Sequence, residues 1–237
     1  MRKLLLAAAV GLFTFTTVGA QNKKGETIEG NGNLISREVP VQSFSALKAS
    51  GVYELKLTQG NKEGVKIEAD ENLQDLFTVT NDGNRLVIDM KKAQNKNLKS
   101  KNKMRVYVTF KNLKNMDISM VGNITAENTL AFDDLDIKNS SVGSLDLDLT
   151  AQKINLENRS VGNVKLSGKA QDAVFVNNGV GSINAGALVV QTMDIENTGV
   201  GHAEVNAQKG LKVKDSFLGK VKNRGAATPR KMNKVVI

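Results

Sequence analysis

In the second half of the chain, short runs of alternating hydrophobic and polar residues recur every 18 to 21 positions. Registered on a Val-Gly or Leu-Gly pair, the copies fall at Gly122, Gly143, Gly162, Gly181, Gly201 and Gly219. Two and four residues after the glycine stand apolar pairs such as Leu145 and Leu147, or Val164 and Leu166. Six and eight before it stand pairs such as Leu156 and Ile154, or Phe175 and Ala173. The positions between are polar, as at Asp146, Lys165 and Glu204. Alternation with period two marks half-buried strands with their apolar side inward. Each repeat therefore predicts two short strands separated by a turn, where glycine accepts a positive φ at little cost. The preceding Val column, Val121 to Leu218, is expected to plug that corner from inside.

A polar column accompanies the apolar ones. Four residues before the glycine stand Asn139, Asn158, Asn177 and Asn197, then Asp215. An amide side chain carries donors and an acceptor, so stacked copies satisfy one another up and down an array. The sequons at Asn139 and Asn158 are then accidental, since a glycan there breaks the stack.

Strand–corner–strand units of this length cannot bury an apolar face alone. Stacked as coils, they share one core and pair in parallel from coil to coil. The expected fold is all-β: a right-handed parallel β-helix with coils of about 19 residues and an N-terminal β cap, the hand following general crossover preference. Leucine-rich repeats compete by length, but their consensus and any helical segment are missing. Residues 34–237 read as one domain, with cap and irregular coils over 34–110 and regular repeats over 111–225. In the cap, Asn81-Asp82-Gly83-Asn84 between two alternating runs signals a hairpin. Residues 21–33 read as a flexible leader.

The first twenty residues are an address. Arg2 and Lys3 precede an uncharged apolar run from Leu4 to Val18, and Val18-Gly19-Ala20 offers small residues before a cleavage site. No Cys stands at that site, which excludes a lipoprotein anchor. No second apolar stretch follows, so the expected mature chain is exported, to the periplasm or the cell surface, without an integral membrane segment.

Composition narrows the chemistry. No Cys removes disulfides, thiolate catalysis, Fe–S clusters and Cys-type zinc sites, and the one histidine, His202, removes poly-His metal sites. No cofactor is expected. The whole chain has 33 Lys or Arg against 24 Asp or Glu. An excess of bases in an exported protein points to acidic glycans or other cell-surface polyanions rather than nucleic acid, or simply to solubility and protection of sheet edges. The densest basic run holds Lys91, Lys92, Lys96, Lys99, Lys101 and Lys103. It reads as a solvated, mobile loop or as a polyanion-binding arm with steep salt dependence.

The sequence resembles a bacterial family, the head-GIN domain, whose label is that of an auto-transporter adhesin. The resemblance covers about residues 36–222. It rests on Arg37 and Phe44 ahead of Ser50-Gly51-Val52, on Ala69-Asp70-Glu71-Asn72-Leu73, and on repeats such as Ser160-Val161-Gly162-Asn163-Val164. It implies an exported right-handed β-helix of Gram-negative bacteria and carries no catalytic residues. The sequence lacks the many amphipathic strands of a membrane barrel that self-translocation requires.

Catalysis is the competing reading, because a β-helix can host a polysaccharide lyase or hydrolase. Hydrolysis needs two carboxylates facing one bond. The outward column Thr125, Asp146, Lys165, Asn184, Glu204, Lys222 separates its acids with other residue types. Asp133, Asp134 and Asp136 offer hard oxygen donors for calcium, but too few locally. His202 stands at an outward corner with no predicted nucleophile beside it. The expectation is a non-enzymatic, adhesin-like binding or structural module.

Overall fold

The computed structural model describes residues 26–232; the expected signal peptide at 1–20 lies outside the described residues. The repeats form long strands: Leu130–Asn139, Leu145–Asn158, Val164–Asn177, Ile183–Asn197 and Ala203–Asp215. Each pairs in parallel with the next, so that Asn139, Asn158, Asn177 and Asn197 lie opposite one another. Coils about 4.8 Å apart thus wind into a parallel β-solenoid of about six turns. Where a coil is longer than its neighbour the register slips, first between Lys165 and Ser167.

The repeats predict two short strands each, and the first coil has them, Ile124–Ala126 and Leu130–Asn139, but the four coils from Leu145 onward each carry one strand of 13 to 15 residues. The second bend keeps its ladder partners, as in Thr150 opposite Lys169 and Lys169 opposite Val189, so pairing runs around it. Inside, the apolar columns are buried: Leu145, Val164 and Ile183 in one, Leu156, Phe175 and Ile195 in another. The columns break at the array's ends, where Lys114 is exposed and Asn223 half-buried.

The N-terminal part continues the same stack and then closes it. Ala46–Val52 lies in parallel between Arg85–Asp89 and Asn115–Val121. Glu54–Gln59 lies in parallel between Arg105–Phe110 and Ile124–Ala126. Beyond them the ladder turns antiparallel: Gly64–Asp70 pairs with Arg105–Phe110 and with Leu34–Val39. The hairpin forms between Thr78–Asp82 and Arg85–Asp89, with Gly83 at φ +58. Antiparallel strands at this end consume backbone groups that an open parallel edge leaves for another chain.

The leader is a correction. Thr27–Glu29 is a strand paired in parallel with Asn97–Lys99, and Gly30 N–H donates to the Lys99 carbonyl at 2.8 Å. Ile28 and Leu98 pack half-buried against the core. That apolar pair holds the described leader residues in a two-stranded sheet of their own against the solenoid, and the basic run thus contains a strand and a short 3-10 turn at Lys91–Ala93 where the sequence predicts a loop.

Candidate functional site

At the corner of every coil the chain presents two opposite columns. Inside, Asn139 Nδ2 donates to Asn158 Oδ1 at 2.9 Å, Asn158 to Asn177 at 2.8 Å, and Asn177 to Asn197 at 2.7 Å. Asn197 ends the ladder by donating to the Gly201 carbonyl at 3.0 Å. Ser141 Oγ and Ser160 Oγ donate to their own coil's Asn, and Gly179 N–H does the same. All four Asn are buried. Asp215 is exposed and leaves the ladder, accepting a hydrogen bond from Val221 N–H at 3.4 Å.

Outside runs the Val column, and here the expectation of an inward plug fails. Val121, Val142, Val161, Val180 and Val200 form parallel bridges to one another, yet Val161 is 53% exposed and the rest are similar. Asn158 and Ser160 already face inward, so alternation turns Arg159 and Val161 to solvent. The glycine that follows is obligatory for a reason beyond φ. A Cβ on Gly162 sits 2.2 Å from the Gly143 carbonyl oxygen, and Gly143, Gly181 and Gly201 meet their neighbours alike. Gly122 makes the same approach to Tyr53. Five of these glycines have φ between +129 and +143, whereas Gly219 has no positive φ and closes a different turn, its N–H donating to Ser216 Oγ at 3.0 Å.

The six lysines of the basic run divide into two groups. Lys91 pairs with Asp89 at 3.7 Å, Lys96 with Glu26 at 3.0 Å and Lys103 with Glu54 at 3.2 Å. Lys92, Lys99 and Lys101 are exposed and make no ion pair among the described residues. Asp70 fixes the segment. Its buried carboxylate accepts hydrogen bonds from Lys101 N–H at 3.0 Å, Ser100 Oγ at 3.3 Å and Asn102 Nδ2. Burial pushes the Asp70 pKa up, but these donors outweigh it and hold the carboxyl below its ordinary value. Glu54 resolves the same way: burial raises it, and Lys103 and Arg105 bring it below the ordinary glutamate value. Asp70 was missed as a site residue; its signal was an acid ending the apolar alternation Val65, Ile67, Ala69.

Charge is segregated along the solenoid. Residues 91–114 hold nine Lys or Arg and no acid. Residues 117–204 hold five bases against twelve acids, and 209–232 hold eight bases against Asp215 alone. The acidic coils are laced by bonds between neighbours, such as Lys165 to Asp146 at 3.0 Å and Lys212 to Asp194 at 3.1 Å. A shallow groove of about 830 Å³ crosses this face, lined by Lys153, Asp172, Asp194, Gln208, Lys212 and Arg230. Its acids are engaged: Thr192 Oγ1 donates to Asp172, and Asp194 holds Lys212. His202 is exposed, as are Asp133, Asp134 and Asp136, with Asn155 Nδ2 donating to Asp136 at 2.6 Å. No group of three or more His, Cys, Asp or Glu suited to a metal occurs among the described residues.

A family model described as "Putative auto-transporter adhesin, head GIN domain" matches residues 43–227. The chain belongs to the head-GIN family. Its solved relatives share the solenoid. A "putative adhesin" from Bacteroides fragilis is 30% identical with a TM-score of 0.73, over 86% of this chain and 100% of that one. A "putative lipid binding protein" from Parabacteroides distasonis, 18% identical, aligns over 88% of this chain and 100% of its own with a TM-score of 0.59. A "putative adhesin" from the same species, 22% identical, aligns over 87% of this chain and 100% of its own, also at 0.59. No curated protein matches the chain. The head-GIN residues Asp70, Val161 and Gly162 thus have structural assignments: the clasp, the outer column and the close approach between coils. No helix among the described residues is long and apolar enough to cross a membrane.

Proposed function

We propose that this head-GIN protein is a non-enzymatic binding module, adhesin-like, exported to the periplasm or the cell surface, and that it holds polyanions such as acidic glycans. One observation carries this reading: Lys92, Lys99 and Lys101 project without acid partners among the described residues, from a segment that Asp70 clamps to a rigid solenoid. Cations held on a fixed frame lose little freedom on meeting a repeating anion, whereas a loose arm must be ordered first. The adhesin name of the Bacteroides fragilis relative supports the same class. The groove acids, committed to Thr192 and Lys212, serve contact rather than turnover.

Titration of the protein with a sulfated or carboxylated polysaccharide tests the reading. Saturable binding that falls steeply between low and physiological salt is expected, because counterions are released from the polyanion. Changing Lys92, Lys99 and Lys101 to Gln should weaken it at least tenfold with the polysaccharide left uncut; binding indifferent to these changes, or cleavage of the polymer, would sink the proposal. Export carries its own test: intact mass from the producing cell should begin at Gln21.

A further inference from the structure

The last coil departs from the others in two ways at once. The position two before the glycine is Ser141, Ser160, Gly179 and Gly199 in successive coils, all turned toward the Asn ladder. Across these four coils the column admits only small residues, since a Cβ on Gly199 meets the Gly179 carbonyl oxygen at 2.3 Å; the first coil, with Ile118 in place of the Asn, buries Met120 there. In the last coil the position is Phe217, which cannot enter. The corner is rebuilt around Ser216, and Phe217 stands 88% exposed beside Leu218, 58% exposed. No other large hydrophobic side chain among the described residues is as exposed as Phe217.

The terminal coil that carries this tip is also strongly basic. Residues 209–232 carry a net +7, against a net −7 over residues 117–204. Lys212, Lys214 and Arg224 are drawn back to acids of the preceding coil, while Lys209, Lys222, Arg230 and Lys231 are exposed and make no ion pair among the described residues. Asn223 ties the last turn together by bonding Ala207, Gly225 and Ala227. Among the described residues the outermost strands, Val221–Asn223 and Pro229–Lys231, pair only with Ala203–Asp215.

We infer that the C-terminal coil docks end-on on an anionic lipid bilayer, Phe217 and Leu218 entering the interface and the cations meeting lipid phosphates. A protruding aromatic beside an aliphatic residue, on a coil whose Lys and Arg far outnumber its acids, is the composition of a peripheral membrane contact. A soluble polyanion uses the cations but leaves Leu218 nothing to bury against. The acidic coils behind the tip are repelled by the same surface, so the charge gradient along the solenoid sets the end-on orientation. The basic run at the opposite end lacks a comparably exposed aromatic.

The chain has no Trp, so Phe217→Trp places a single reporter at the tip. Vesicles of phosphatidylcholine with about 30 mol% phosphatidylglycerol, at about 0.15 M salt, serve as the surface, with pure phosphatidylcholine and a soluble sulfated polysaccharide as controls. A blue shift on the anionic vesicles alone is expected. In co-sedimentation of the otherwise unmodified protein, Phe217→Ser with Leu218→Ser should lower vesicle affinity at least tenfold without moving the unfolding midpoint. Each of Lys222→Gln, Arg230→Gln and Lys231→Gln should lower it about fivefold. The Lys92, Lys99, Lys101 triple Gln variant should leave it within about twofold, which separates this contact from the polyanion site. Absence of vesicle binding, binding untouched by the Ser pair, or an equal blue shift on soluble polysaccharide would overturn the inference.

Discussion

Between Asn115 and Asp215 the chain solves one packing problem repeatedly; between Leu34 and Phe110 it solves several different ones once each. In the coils buried columns stack copy over copy, and the same corner of Asn, small residue, Val and Gly recurs in the four coils of Asn139, Asn158, Asn177 and Asn197. In the N-terminal part, stability rests on pairings made once, such as Asp70 with residues 100–102 and Arg37 with the Gln74 carbonyl at 2.8 Å. Repetition makes the coils intolerant, because a distortion in one is imposed on the next. The N-terminal part is tolerant locally and fragile only at its few clasps.

The sharpest way to break the comparison is one substitution in two places. Gly162→Ala puts a Cβ 2.2 Å from a backbone oxygen at φ +143, and should cost about 3 kcal/mol or more. Gly64→Ala meets nothing within 4 Å and has no positive φ, so it should change stability by less than about 0.5 kcal/mol. Urea unfolding midpoints compare them; equal costs would mean that coil contact does not govern the corner.

The Asn ladder should come next. Asn158→Ala leaves Asn139 Nδ2 and Ser160 Oγ without their acceptor in a buried site and takes from Asn177 Oδ1 one of its two donors, at about 1–3 kcal/mol. Asn184→Ala, on the exposed face, should stay within about 0.5 kcal/mol. A ladder variant no weaker than the surface one would remove the amide stack from the stabilising interactions.

A smaller, pH-dependent effect belongs to the N-terminal clasp. Asp70→Asn keeps one oxygen acceptor for Lys101 N–H and loses the charge. Because the folded carboxyl titrates below its ordinary value of 3.8, its contribution is present above that pH and fades as pH falls through the lower folded value. The midpoint gap between wild type and Asp70→Asn should therefore be constant near neutrality and close below about pH 4. A gap that widens in acid would reverse the assigned sign.

Legibility in the sequence follows the same division. Columns such as Leu156 beneath Ile137 show themselves because repetition displays the partner of every residue a fixed distance away. The fold and the Asn column were read that way, and the head-GIN resemblance rests on the same repeats. The strand Thr27–Glu29 was not, since Ile28 meets Leu98 seventy residues on and only once. Asp70 was hidden likewise, its donors being some thirty residues away. Phe217 was visible as a bulky residue in a small-residue column, but its meaning depends on how tightly that column is packed.

The Val column lies outside although its hydrophobicity predicts an inward plug. Alternation from Asn158 through Ser160 turns Val161 outward, and the period of the strand, not the residue type, sets its side. Its exposure now makes the smallest and most discriminating prediction. Val161→Thr keeps the β-branched shape and the strand preference, replaces one solvent-facing methyl by a hydroxyl, and leaves the bridges to Val142 and Val180 intact. The change should alter stability by less than about 0.5 kcal/mol. Leu156→Ala, five residues earlier and fully buried, should cost about 2–5 kcal/mol. If Val161→Thr proved as damaging as Leu156→Ala in the same urea titration, the column would be a buried plug after all, and the corner's inside and outside would have to be exchanged.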